Sequence, residues 1–329
     1  MNRAATGVLA AVVIAGLAGC GGAGRSQGAG QRGLPLAAGL DGFPDFKKAR
    51  TFNPTRYPHG DWHPAGLDYE DAWFRSPDGT CLHGWYVPHE NPRAVVLYCH
   101  GNSGNLSHRA GVLRTLHDEV GVSVLIFDYR GYGRSHGRPG EEGILADARA
   151  ARAWLARRAG VDEQDIVLLG HALGTGVAVD LAARDGARAL VLESAFTSVP
   201  DVGASYFPRL PIRLVTRTEL DSYHKIRRYR GPLLQSHGER DTIVPYRLGR
   251  RLYRAANEPK EFITLPGHDH MDPLGGDYFA RLAAFLDNLE PSGESGPTIA
   301  GMEEGAVGES GPPPAAGSRP LSRTASSPR

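Results

Sequence analysis

Between residues 66 and 289 the chain switches repeatedly between short apolar runs and helical stretches, an order few architectures can accommodate. The runs are Tyr69–Arg75, Thr80–Val87, Ala94–Cys99, Val122–Phe127, Asp165–Leu169, Ala189–Glu193, Pro232–His237 and Glu261–Leu265, each bounded by turn residues. Ser76-Pro77-Asp78-Gly79 joins the first two and predicts a hairpin. The later runs are continuously apolar, as in strands covered on both faces. Between them Glu141–Arg158 repeats apolar residues at Ile144, Ala148, Ala151 and Leu155, three or four apart, which predicts a helix. The fold class is therefore α/β: a mostly parallel, eight-stranded sheet with helices on both faces.

Composition separates this region from both ends. Residues 291–329 hold seven Pro, seven Gly and seven Ser and no aromatic residue, too little apolar surface to offset the entropy of ordering; a disordered tail is expected. Gly7 to Ala18 is a small and apolar run preceded by Arg3. Its twelve residues give about 18 Å of helix, too short for the hydrocarbon core of a bilayer. The run ends Leu17-Ala18-Gly19-Cys20 and resembles the lipobox of bacterial lipoproteins. That resemblance implies a signal peptide at 1–19, cleavage before Cys20 and acylation of that cysteine. A Gly-, Ala- and Gln-rich tether then runs to residue 43, and the folded domain occupies 44–290. An ordinary secretory signal with an incidental cysteine is the alternative. The lipoprotein reading places the chain in the bacterial cell envelope, lipid-anchored and periplasm-facing. Gly21, where an aspartate would favour the inner membrane, points to the outer one.

Charge excludes other partners. With 37 Lys+Arg against 36 Asp+Glu the net charge is +1, so no general field draws the chain to nucleic acid. Three cysteines cannot build a disulfide scaffold. No phosphate-binding glycine loop is present and no cofactor is implied. The 43 glycines are about twice the ~7% share usual in proteins. They divide between the two ends and the turns that follow the strands.

Those turns carry the chemistry, because ligands of open parallel sheets bind beyond the carboxyl ends of the strands. Cys99-His100-Gly101-Asn102-Ser103-Gly104 follows the third strand and Asp128-Tyr129-Arg130-Gly131-Tyr132-Gly133 the fourth. Gly170-His171-Ala172-Leu173-Gly174 follows the fifth, His237-Gly238-Glu239-Arg240-Asp241 the seventh, and Pro266-Gly267-His268-Asp269-His270 the eighth. Together, and in this order, they resemble the α/β-hydrolase superfamily, within it the compact esterase, thioesterase and serine-aminopeptidase-like branch. The resemblance covers most of 66–289. It implies a backbone N–H of Asn102 and one of Leu173 as an oxyanion hole, Asp241 as the orienting acid and His270 as the general base. The nucleophile position falls on Ala172, where the family pattern Gly-x-Ser-x-Gly reads Gly170-x-Ala172-x-Gly174. Alanine has no oxygen and cannot form an acyl-enzyme.

Other residues carry a hydroxyl, a thiol or an imidazole near that position. Ser103 reads as a turn hydroxyl, Thr175 as a helix-packing hydroxyl, Ser194 as a helix cap and Cys99 as a buried structural thiol. His268-x-His270-x-Asp272 has metal-ligand character but no further cluster of zinc spacing accompanies it, so no metal is expected. His171 reads as a packing or pocket-rim residue, Asp128, Arg130 and Arg134 as structural, and Tyr129 or Tyr132 as lining the site. Residues 196–230 form the expected lid, with Arg209, Arg213, Arg217, Arg227, Arg228 and Arg230 among Tyr206, Phe207, Tyr223 and Tyr229. This basic surface suits either lipid head groups or an anionic substrate, or is a solvated cap. Two functions stay open: an esterase-, thioesterase- or peptidase-like site for a small acyl or peptide-like ligand, or a catalytically inactive pseudoenzyme serving as a membrane-tethered binding module.

Overall fold

The computed structural model describes residues 51–209, 211–212 and 218–289. The expected signal peptide, Cys20, the tether and the tail lie outside the described residues, as do Arg213 and Arg217. Eight strands form one sheet: β1 (Glu70–Arg75), β2 (Cys81–Val87), β3 (Val95–Cys99), β4 (Ser123–Phe127), β5 (Val167–His171), β6 (Ala189–Glu193), β7 (Leu233–Gly238) and β8 (Lys260–Leu265). Their order across the sheet is β8-β7-β6-β5-β3-β4-β2-β1. β2 pairs antiparallel with both β1 and β4, and every other pairing is parallel. The chain thus leaves β3 for β4 on one side and returns past it to β5 on the other. That reversal opens a crevice beyond the ends of β3 and β5, where a ligand fits an open α/β sheet.

The continuous apolar runs are explained by burial on both faces. In β3, Leu97 and Cys99 point into one cluster while Val96 and Tyr98 point into the other. The first cluster is closed by α2 (Glu141–Ala159), α3 (Leu173–Asp185), α4 (Val199–Tyr206) and α6 (Tyr246–Ala255). The second is closed by α1 (Ala110–Thr115), with the π-turn Leu116–Val120 that continues it, and by α7 (Gly276–Asp287). Helix α2 buries Ile144, Ala148, Ala151 and Leu155, the stripe read from sequence, and stops at Gly160, whose φ of 69° closes the C-terminus. The β1–β2 hairpin turns at Ser76–Gly79, with Gly79 at φ 83°. None of the described helices is long and apolar enough to cross a membrane.

Two buried carboxylates tie the helices to this frame. Asp180 of α3 receives Arg149 of α2 at 2.9 Å, Arg184 at 3.0 Å, and Lys225 of the short helix α5 (Ser222–Lys225). Glu193, the last residue of β6, accepts the Tyr278 hydroxyl of α7 at 2.6 Å. Burial pushes the Glu193 carboxyl up to about 7, only partly offset by that hydrogen bond. The unfolded chain holds this proton less tightly, with an ordinary value of 4.5. The stabilisation linked to it is therefore complete below that value and is lost as pH rises through about 7. Glu193→Gln keeps the shape and removes the charge. It is expected to raise stability at about pH 8 by on the order of 1–3 kcal/mol and to change little near pH 4, as measured by urea denaturation at both.

Candidate active site

The strand-to-helix turn after β5 is built by two glycines. A Cβ on Gly174 would sit 1.8 Å from the Cys99 carbonyl oxygen, and one on Gly170 would sit 2.6 Å from the Gly174 carbonyl oxygen. Without side chains there, the first turn of α3 rests directly against the end of β3. The link is Ala172, at φ 49° and ψ −115°, a conformation that costs a non-glycine residue on the order of 1–3 kcal/mol. Its N–H donates to Glu193 O at 3.0 Å, and its carbonyl accepts the N–H and the hydroxyl of Thr175 at 3.0 and 2.7 Å. The surroundings therefore hold the strained turn, whose apex carries only a methyl group.

Beside it the loop after β3 is fixed carbonyl by carbonyl. Tyr129 Oη donates to His100 O at 3.0 Å, His100 Nδ1 to Gly101 O at 2.7 Å, and Tyr132 Oη to Asn102 O at 2.7 Å. A trans peptide points its C=O and N–H opposite ways, so the His100–Gly101 contact also aims the Asn102 N–H. Leu173 is the first residue of α3, a position whose N–H has no intrahelical acceptor. The expectation that Tyr129 or Tyr132 lines the site is corrected: both are fully buried beneath the loop and act as its supports. Asp128 is structural as read, accepting Leu106 N–H at 2.9 Å and lying 3.5 Å from His100 Nε2.

Asp241 and His270, 29 residues apart, meet with Oδ2 and Nδ1 at 2.8 Å, and both side chains are buried. The other carboxylate oxygen accepts the N–H groups of Ile243 and Val244 at 2.9 and 2.6 Å. Burial alone would raise the Asp241 carboxyl, but hydrogen bonds and charge from His237 and His270 outweigh it and hold it well below the usual range. An ionised carboxylate at Nδ1 keeps the imidazole proton there and leaves Nε2 as the basic nitrogen. His237, whose Nε2 is 3.3 Å from Asp241 Oδ2 and 2.9 Å from Val244 O, was not singled out in the sequence. Nor was Asp269, which accepts Thr242 N–H at 2.8 Å and His270 N–H at 2.7 Å and so clips the two loops together. No pattern short of the folded loops marks either residue.

Asn102, Ala172, Leu173 and His270 line one pocket, completed by Thr51, Phe196, Val199, Val202, Ile243 and Val244. It measures ≈ 410 Å³ with the open solvent at its mouth. Phe196, Val199 and Val202 come from the segment expected as a lid, so that segment supplies an apolar wall. His171 is not among the residues that line the pocket; its ring packs 5.5 Å from that of His270, and burial first, His270 second, lower its basicity well below the ordinary value. Asn102, Leu173 and His270 thus stand around one apolar pocket, with only a methyl group at position 172.

The other nucleophile candidates remain apart from it. Thr175 Oγ1 is spent on Ala172 O, and burial pushes the Cys99 thiol up to about 12. Ser103 Oγ lies 3.4 Å from Asn102 Oδ1. Ser194 is not a helix cap: it sits at φ 53°, and the cap of α4 is Ser198, whose hydroxyl accepts Asp201 N–H. His268, His270 and Asp272 do not converge. His268 bonds Pro266 O, Asp272 accepts Asp269 N–H, and no group of three ligating side chains gathers among the described residues.

A family model for serine aminopeptidase, S33, matches residues 90–225. The uncharacterized protein Rv2307c of Mycobacterium tuberculosis is 45% identical over 212 residues, 64% of this chain and 74% of that one. The alpha/beta hydrolase domain-containing protein WAV2 of Arabidopsis thaliana is 31% identical over 271 residues, 75% of this chain and 85% of that one. Among solved structures, the Pyrococcus furiosus esterase Pf2001 matches with a TM-score of 0.59 at 23% identity, covering 72% of this chain and 99% of that one. With the strand order, the turn after β5 and these relatives agreeing, the chain belongs to the α/β-hydrolase superfamily.

Proposed function

We propose that the pocket binds the acyl group of a small ester, thioester or peptide-like ligand, with the carbonyl oxygen directed to the N–H groups of Asn102 and Leu173. The reading is carried by the Asp241–His270 pair at 2.8 Å, whose free imidazole nitrogen belongs to the same pocket as those two donors. Two backbone donors held before a ligand arrives stabilise a developing oxyanion by a few kcal/mol each. With a methyl group at position 172, His270 acts on water rather than on a side chain: Nε2 takes a proton as the oxygen attacks, and returns it to the leaving group. Hydrolysis by this route is slow, because triads lacking a member retain only about 10³–10⁴-fold over the uncatalysed reaction.

A second reading, a pseudoenzyme that binds the same ligands without turnover, is favoured by one observation. Ala172 carries a methyl group where acyl transfer needs a nucleophile. Either way, the leader ending at Cys20 makes the chain a lipid-anchored protein of the bacterial envelope, facing the periplasm from the outer membrane.

Activity on p-nitrophenyl esters and acyl-CoA separates the two. Ala172→Ser is expected to raise kcat/KM at least about 10³-fold and to become labelled by a fluorophosphonate. Labelling of the natural chain would reveal another nucleophile and overturn the site as described. Slow turnover by the natural chain that His270→Ala abolishes supports the water route, whereas none on these substrates, with ligand binding retained, supports the pseudoenzyme. For the anchor, Cys20→Ala is expected to abolish incorporation of a radiolabelled fatty acid and to release the protein from the membrane fraction; unchanged incorporation sinks the lipoprotein reading.

A further inference from the structure

The net charge of +1 conceals a strong local imbalance. In α6 the residues Arg247, Arg250, Arg251 and Arg254 stand at i, i+3, i+4 and i+7, one face of a helix whose other face buries Leu248 and Leu252. The neighbouring segment 222–231 adds Lys225, Arg227, Arg228 and Arg230, and neither it nor 246–257 contains an Asp or Glu. Tyr223 joins the two: the guanidiniums of Arg227 and Arg251 lie 4.4 and 4.6 Å from the centre of its ring. Arg250 lies likewise over Phe262 at 4.6 Å. Arg251 reaches one acid, Asp201, at 3.4 Å. Arg228, Arg230, Arg247 and Arg254 are exposed, and none of the four forms an ion pair with a described residue. Helix α6 begins two residues after Val244 of the pocket wall, and Asp201 belongs to the helix that carries Val199 and Val202. The arginine face therefore adjoins the elements that form the pocket.

We propose that this face docks the domain on an anionic lipid surface. Of these eight cations Lys225 is paired with Asp180 and Arg251 with Asp201; the six other arginines are complementary to a sheet of phosphate head groups. The stripe along α6 spans roughly 10 Å, with Arg247, Arg251 and Arg254 exposed and Arg250 half-buried, so it fits a laterally continuous surface better than one phosphate in a cradle. Stacking on Tyr223 and Phe262 fixes three of the guanidiniums in advance, which reduces the entropy lost on contact. The choice of lipid as the polyanion rests on the anchored reading above: thirty residues from Cys20 to Thr51, fully extended, reach at most roughly 100 Å, so an anchored domain stays beside the bilayer. The substrate class then narrows to acyl ligands presented at a charged membrane surface.

The test is co-sedimentation of the full chain with phosphatidylcholine vesicles and with vesicles that also contain phosphatidylglycerol. Binding to neutral vesicles reports the anchor; the gain on anionic ones reports the arginine face, so the two readings fail separately. Expected is a gain of at least about tenfold at low salt that disappears at high salt. Replacing Arg228→Glu, Arg247→Glu and Arg254→Glu together should remove it, and the same three positions as Lys should keep it, with thermal melting unchanged in both. Equal partition onto the two vesicles, a gain that survives charge reversal, or loss in the Lys variant overturns the proposal. So does duplex DNA binding that matches the vesicle gain and is lost with the same Glu substitutions, which would assign the face to nucleic acid.

Discussion

The first turn of α3 touches the end of β3 so closely that Gly174 has no room for even one carbon, and the site is assembled around that contact. Bringing the helix start onto the strand end places the Leu173 N–H beside the 100–102 loop and forces the chain through Ala172 at positive φ. The strain is offset by ordinary bonds: Ala172 N–H on Glu193 O, Thr175 on Ala172 O, and continuous burial of α3 on the sheet. Because β3 is also the strand at which the order reverses, the same contact fixes the crevice. Loops from β7 and β8 then need only reach across a sheet edge that is already set.

The strands and the principal helix were legible because their signal is local. All eight apolar runs became strands, with ends shifted by no more than two residues, and Glu141–Arg158 became α2. The pairing of Asp241 with His270 was legible only through resemblance, since nothing in composition or spacing links two residues in different loops. What escaped reading depends on side chains meeting in three dimensions. His237 approaches Asp241 because β7 ends beneath the acid loop, and Tyr129 and Tyr132 turn under the 100–102 loop instead of into the pocket. Ser194 was misread because a serine near a helix start is usually its cap; here Ser198, one turn later, holds that position, and Ser194 absorbs a backbone reversal.

The acid illustrates how a buried charge is kept ionised. Asp241 loses water on burial, yet two backbone N–H groups and two imidazoles surround it, so protonation would forfeit several hydrogen bonds at once. His237 and the N–H groups hold it for structural reasons, and among its side-chain partners His270, not His237, lines the pocket. The acid would therefore remain oriented even in a chain that has given up chemistry, and its presence does not by itself argue for turnover. The loop of His100–Asn102 is different. Its three carbonyls are each engaged, by Tyr129, His100 and Tyr132 in turn, so the loop's shape is held independently of His270.

The alanine at the apex can be understood from the same balance. The backbone at position 172 is dictated by Gly170, Gly174 and Glu193 O, none of which touches its side chain, so exchanging one small side chain for another leaves the strain in place. A hydroxyl there would be a polar group largely removed from water that needs a partner such as His270; a methyl group needs none and extends the apolar wall of Phe196, Val199, Val202 and Val244. The substitution thus exchanges a nucleophile for apolar surface at no cost to the frame. On the proposed function, it leaves a pocket suited to holding an acyl group and any chemistry to water and one imidazole.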